Sequence, residues 1–249
     1  MSVGTLDGPR LAPSAAAGGI RQLVILLHGF GANGDDLIAL APYFQHALPG
    51  AAFVAPNAPE PCEMAPVGYQ WFSLARYDPN QLRRDPKQAP EVWREMLAGV
   101  ERVAPRVNGF IDAELARAGL DDGNLVLVGF SQGTMLALHV GLRRARAPAA
   151  ILGFSGALVG ADRLASEIRG RPPVFLIHGD ADDVVPIPAL FQAAAALGAA
   201  GVPTRFHVSA GTGHGIAPDG IELGGRFLGE IVTRGEVFPD PVSSRLAAT

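Results

Sequence analysis

Short apolar runs without polar alternation constrain this chain more than any other feature. They fall at residues 23–27, 51–55, 125–128, 150–154, 174–177 and 205–208, and most are continuous stretches of Val, Ile, Leu, Phe and Ala. Strands of that kind are covered on both faces, because a sheet with one wet face alternates apolar and polar residues. Between them lie segments that read as helices, at 36–47, 91–118, 134–142, 188–197 and 218–232. Alternating strand and helix predicts an α/β domain with a mostly parallel sheet, right-handed crossovers and helices on both faces. Ligands of such sheets bind at the carboxyl ends of the strands, so function is expected in the loops that follow these runs.

At 249 residues the chain suits one domain, expected over residues 19–235, with flexible segments at 1–18 and 236–249. Pro105 lies inside the long segment 91–118 and predicts a kink or two consecutive helices there. Residues 56–90 carry seven prolines without a period, which suggests a lid or pocket wall. A net charge of −4 gives no footprint for nucleic acid. The one cysteine, Cys62, makes an intramolecular disulfide impossible and requires no oxidising compartment. With no secretory pattern at the start and no long uncharged apolar run, a cytoplasmic protein without a membrane span is expected. A homodimer is compatible with the chain.

Residues 129–133 read Gly-Phe-Ser-Gln-Gly between an apolar run and a helix-prone segment. Flanking glycines relieve crowding in a tight strand-to-helix turn and expose the serine hydroxyl, so Ser131 is the candidate nucleophile. A serine needs a base, and the base needs a carboxylate to fix its tautomer. Two later loops supply them. The first reads His178, Gly179, Asp180, Ala181, Asp182, Asp183, Val184, Val185, Pro186, and the second reads Gly211, Thr212, Gly213, His214, Gly215. His214 is the expected base, with glycines on each side letting the backbone turn. Three carboxylates compete for the remaining role. One oxyanion donor is expected from the amide of Gln132, at the start of the helix after the nucleophile, and the other from the loop after residues 23–27.

Taken together, His-Gly-Asp-x-Asp-x-Val-Val-Pro, Gly-Phe-Ser-Gln-Gly and Gly-x-Gly-His, with Leu27 to Gly31, Pro56 to Pro59 and Trp71-Phe72, resemble the phospholipase/carboxylesterase family, close to the acyl-protein thioesterases. The likeness spans residues 22–234. It implies an α/β-hydrolase fold and a serine hydrolase of carboxylic esters, with thioesters or lysophospholipids as variants. It also implies Asp182 as the acid, with Asp180 and Asp183 supporting the loop, and Phe30 as the second oxyanion donor. No metal or organic cofactor is required, and the partner is a small acyl ester or thioester. Phe30, Trp71, Phe72 and Val185 are candidate acyl-pocket walls, although core packing suits Trp71 and Phe72 equally.

Residues 29–34 also spell Gly-x-Gly-x-x-Gly after a strand, the dinucleotide fingerprint, but the following strand ends in Ala55, Pro56, Asn57 without the ribose-binding acid. A dinucleotide binder, or a non-catalytic binding protein on the same fold, is the alternative. Asp35 and Asp36 read as first-turn acids of a helix rather than metal ligands. His28 reads as support for the oxyanion loop, and His46, His139 and His207 as surface or packing residues. Ser73, Ser155 and Cys62 lack the surroundings of a nucleophile.

Overall fold

The computed structural model describes residues 6–80 and 89–234. Its main sheet contains β1 (Arg10–Leu11), β2 (Gln22–Leu27), β3 (Ala51–Val54), β6 (Leu125–Phe130), β7 (Ala150–Phe154), β8 (Val174–Gly179) and β9 (Thr204–Ser209). Among the described residues the order is β1-β3-β2-β6-β7-β8-β9, parallel except where β1 runs antiparallel to β3. This is the mostly parallel, helix-covered sheet that the apolar runs predict. β6 and β8 are buried almost throughout, whereas the edge strand β9 is largely exposed at Arg205 and Phe206. As an edge strand with one side unpaired, β9 can carry polar residues such as Arg205 and His207.

The helices are α1 (Gly34–Ile38), α2 (Ala41–Gln45), α3 (Ala89–Ala118), α4 (Gln132–Arg143), α5 (Leu164–Glu167), α6 (Pro188–Ala199) and α7 (Pro218–Arg234). One buried cluster packs α3, α4 and α6 against one face of the sheet, and a second packs α1, α2 and α7 against the other. The helix expected over residues 36–47 is instead two, because Pro42 has no amide to donate and its ring opposes the carbonyl four residues back. At Pro105 the opposite correction applies: α3 runs through it as one helix, and two consecutive helices do not form. Pro105 is exposed, where water can satisfy the carbonyl that loses its donor.

One segment departs from the expected plan. Arg10–Leu11 joins the sheet edge, and Leu6 packs in the core, so part of residues 1–18 belongs with the domain. Within residues 56–90, β4 (Glu60–Pro61) and β5 (Tyr69–Gln70) form a small hairpin. Residues 81–88 of that segment, and the tail at 236–249, lie outside the described residues. No helix among the described residues is long and apolar enough to cross a membrane.

Candidate active site

The nucleophile turn is built by close approach. A Cβ on Gly129 would stand 2.5 Å from the carbonyl oxygen of Gly133, and a Cβ on Gly133 would stand 1.8 Å from that of Leu27. Neither atom fits, so α4 can start directly beneath β2 and β6 only with glycine at both positions. The unusual backbone falls on the serine itself, with φ +53° and ψ −115°. A non-glycine residue in that region is strained, and such strain persists where the surrounding structure imposes it. Ser131 occupies the N-cap position of α4, yet its hydroxyl makes no capping bond. It lies instead 2.9 Å from His214 Nε2.

His214 Nδ1 is 2.8 Å from Asp182 Oδ2, and the Asp182 carboxyl is buried. Its other oxygen, Oδ1, accepts from the amides of Val184 at 3.0 Å and Val185 at 2.8 Å. Burial works to raise this carboxyl, but hydrogen bonds from His178 and His214, the positive field of His214 and the Val185 amide hold it well below the usual carboxylate range. Asp182 is therefore ionised wherever His214 must donate from Nδ1, which leaves Nε2 as the acceptor for the Ser131 proton. Of the three candidate acids, Asp182 alone is brought to His214. Asp180 accepts from the Gly211 amide at 2.7 Å and so joins the acid loop to the histidine loop. Asp183 is exposed.

The histidine loop needs a left-handed residue at Gly211, φ +68°. Gly213 and Gly215, expected to supply the turn, have ordinary φ, and a Cβ on Gly215 would meet nothing within 4 Å. The loop is held from below by Ser155, which is 1% exposed and has φ +46°; its hydroxyl donates to the Gly215 carbonyl at 3.2 Å. The Phe130 ring packs against that of His214, tilted by 42° at a centroid distance of 5.1 Å.

His28 supports the first loop, as its position suggests: Nδ1 faces the Gly29 carbonyl at 2.7 Å and Nε2 accepts from the Ala58 amide at 3.0 Å. Burial lowers its pKa, so it stays neutral in that tautomer. The amides of Gly31, Ala32, Asn33 and Gly34 donate to Tyr69 O, Gly29 O, Asp36 Oδ2 and Asn57 Oδ1. A dinucleotide phosphate would need those donors, so the nucleotide alternative loses its cradle. Asp36 forms a capping box with Asn33, which accounts for the acid pair without a metal.

Trp71 and Phe72, each 1% exposed, pack in the core, and so does Val185 at 2%. Of the expected pocket walls, only Phe30 is partly open to solvent. The Gln132 side chain explains the burial of the aromatic pair: Oε1 accepts from the Trp71 amide at 2.8 Å and Nε2 donates to the Phe72 carbonyl at 2.7 Å. Trp71 Nε1 donates to the His28 carbonyl at 2.9 Å. Gln132 thus ties the proline-rich segment to the nucleophile helix, a role that the serine pattern does not disclose. His46 is exposed, His139 packs beside α5, and His207 pairs with Asp219 at 2.8 Å.

A family profile described as Phospholipase/Carboxylesterase matches residues 14–230. The chain belongs to that family. It is 31% identical over 237 residues to a probable carboxylesterase of Oryza sativa subsp. japonica, covering 91% of this chain and 95% of the relative. It is also 31% identical over 177 residues to acyl-protein thioesterase 1 of Saccharomyces cerevisiae, covering 67% and 73%. The solved structure of esterase PE8 superposes with a TM-score of 0.81 at 41% identity, covering 92% of this chain and all of that one. The fold is the α/β-hydrolase fold, and the chain is a hydrolase of ester bonds whose buried Ser131–His214–Asp182 network has the geometry of a catalytic triad.

Proposed function

We propose that Ser131 is the acyl-accepting nucleophile of a carboxylesterase with an apolar acyl preference. The unbroken line from Ser131 Oγ through His214 to Asp182 carries this reading. His214 takes the serine proton as Oγ attacks the carbonyl carbon, and Asp182 stabilises the imidazolium. The tetrahedral intermediate collapses as His214 protonates the leaving alcohol or thiol, leaving an acyl-enzyme. Water, giving a proton to the same imidazole, then attacks the acyl carbon, and His214 passes that proton to Ser131 Oγ as the acyl–Oγ bond breaks and the acid leaves.

Negative charge on the carbonyl oxygen requires preorganised donors, each worth about 3 kcal/mol of barrier. The Gln132 amide, at the first position of α4, is free of any intrahelical acceptor and adds the dipole of its helix. Phe30 supplies the second amide, from the loop whose next four amides are engaged within the protein. The β4–β5 hairpin is bonded to this loop through Tyr69, and it presents Met64 and Val67, 70% and 74% exposed. Exposed apolar side chains on a hairpin tied to the Phe30 loop suit an acyl chain better than a charged group. With one cysteine, the fold needs no disulfide, so a cytoplasmic setting suits the chain.

The test is a chain-length profile on p-nitrophenyl esters. Medium chains should turn over faster than acetate. A maximum at acetate with no turnover of medium chains would overturn the apolar acyl preference.

A further inference from the structure

The triad's acid sits in a turn held by several hydrogen bonds, and one of its anchors has no part in the proton transfers. His178, near the end of β8 and four residues before Asp182, is 1% exposed on a strand otherwise composed of Val, Phe, Leu, Ile and Gly. A buried imidazole among apolar neighbours costs desolvation, so its retention calls for a specific set of bonds. Its Nε2 lies 2.7 Å from the Val185 carbonyl oxygen and 3.2 Å from Asp182 Oδ2. A carbonyl and an ionised carboxylate only accept, so this nitrogen carries the proton.

The N–H therefore holds the carbonyl of the residue whose own amide donates to Asp182 Oδ1. It also presents its positive end to Oδ2, the oxygen that receives His214 Nδ1. On the neighbouring carbonyl, Val184 O, the Tyr77 hydroxyl donates at 2.6 Å. We propose that His178 is a positioning residue for ester hydrolysis, its Nε2–H fixing the Val185 peptide and hence the orientation in which the Asp182 carboxylate meets His214. The proposal rests on the Ser131–His214–Asp182 reading. It gives His178 no contact with substrate and no proton to transfer.

The experiment compares His178→Gln, which can place an amide N–H where Nε2 stands, with His178→Met, which fills similar volume without a donor, and His178→Asn, whose donor is too short to reach. Fluorophosphonate titration counts competent Ser131 sites, so kcat is expressed per labelled site and loss of folded protein drops out. His178→Met and His178→Asn should lower kcat about tenfold to a hundredfold, in the range found for residues that orient a catalytic ligand, with KM within about twofold. His178→Gln should recover most of the loss. Unchanged kcat per labelled site in the Met and Asn variants, or a Gln variant no better than either, would overturn the proposal. An unmutated protein that neither turns over esters nor takes the label would overturn the serine-hydrolase reading itself, and this proposal with it.

Discussion

A carboxylate that accepts from two backbone amides and an imidazole, with a second imidazole at 3.2 Å, has little left to offer a proton. Asp182 →Asn keeps the size of the side chain but places an N–H among groups that already donate, and it frees His214 to adopt the wrong tautomer. It should lower kcat by about 10⁴ with small effect on KM, read from steady-state ester hydrolysis of a variant that still melts cooperatively. Because the carboxyl is held well below the usual range, it should stay ionised across the acid limb of kcat/KM in the unmutated protein and add no step of its own there, which a pH profile of ester hydrolysis checks. Ser131 and His214 were legible in the sequence because each lies in a local glycine pattern on a loop after a strand, in the order that the α/β-hydrolase fold imposes, whereas Asp182 was one of three acids and was singled out by the family resemblance. Gln132 and Ser155 were not legible in their supporting roles, since each acts on residues brought near by folding, and His178 was not because the turn that folds Val185 and Asp182 back onto its ring leaves no spacing pattern of its own. The Gln132 partners lie about 60 positions away in the chain, and so does the Gly215 carbonyl that Ser155 holds. A glutamine beside a nucleophile advertises its amide and says nothing of what its side chain ties down.

At the level of elements, the β6–α4 junction permits no added atom, whereas the loop carrying His214 has room. Gly133→Ala drives a methyl into the Leu27 carbonyl and should destabilise the protein by about 3 kcal/mol or more, since backbone rather than a flexible side chain must yield. Gly215→Ala, with ordinary φ and open space, should fall within about 0.5 kcal/mol of the parent. Denaturant midpoints of the two variants check the contrast, and similar losses in both would refute it. The strands were readable from apolar runs because burial on both faces leaves a continuous signal. The break between α1 and α2 was also written in the chain, at Pro42, and was overridden by the apolar periodicity around it. The β4–β5 hairpin was not readable: two-residue strands carry no period, and their place is set by Tyr69 pairing with the loop after β2.

For the whole molecule, the titration of buried imidazoles links stability to pH. Burial, with Arg143 and Arg163 nearby and only Glu167 opposing them, pushes His139 down to about 4. The unfolded chain takes up that proton near pH 6.5, so between about 6.5 and 4 it binds more protons than the native state, and stability falls as pH falls through that window. Melting temperature should drop more steeply across this range in the unmutated protein than in His139→Gln, and parallel curves would contradict the assignment. The central claim for the whole molecule is that Ser131, the serine of the Ser131–His214–Asp182 network, carries the acyl group. The most direct test is intact mass after fluorophosphonate treatment, paired with p-nitrophenyl ester turnover, in the unmutated protein and in Ser131→Ala. The unmutated protein should gain one label mapping to Ser131 and hydrolyse the ester, while Ser131→Ala should remain unlabelled, fold normally and lose at least about 10⁴ of kcat. Turnover retained by Ser131→Ala, or a label on another residue, would contradict the account.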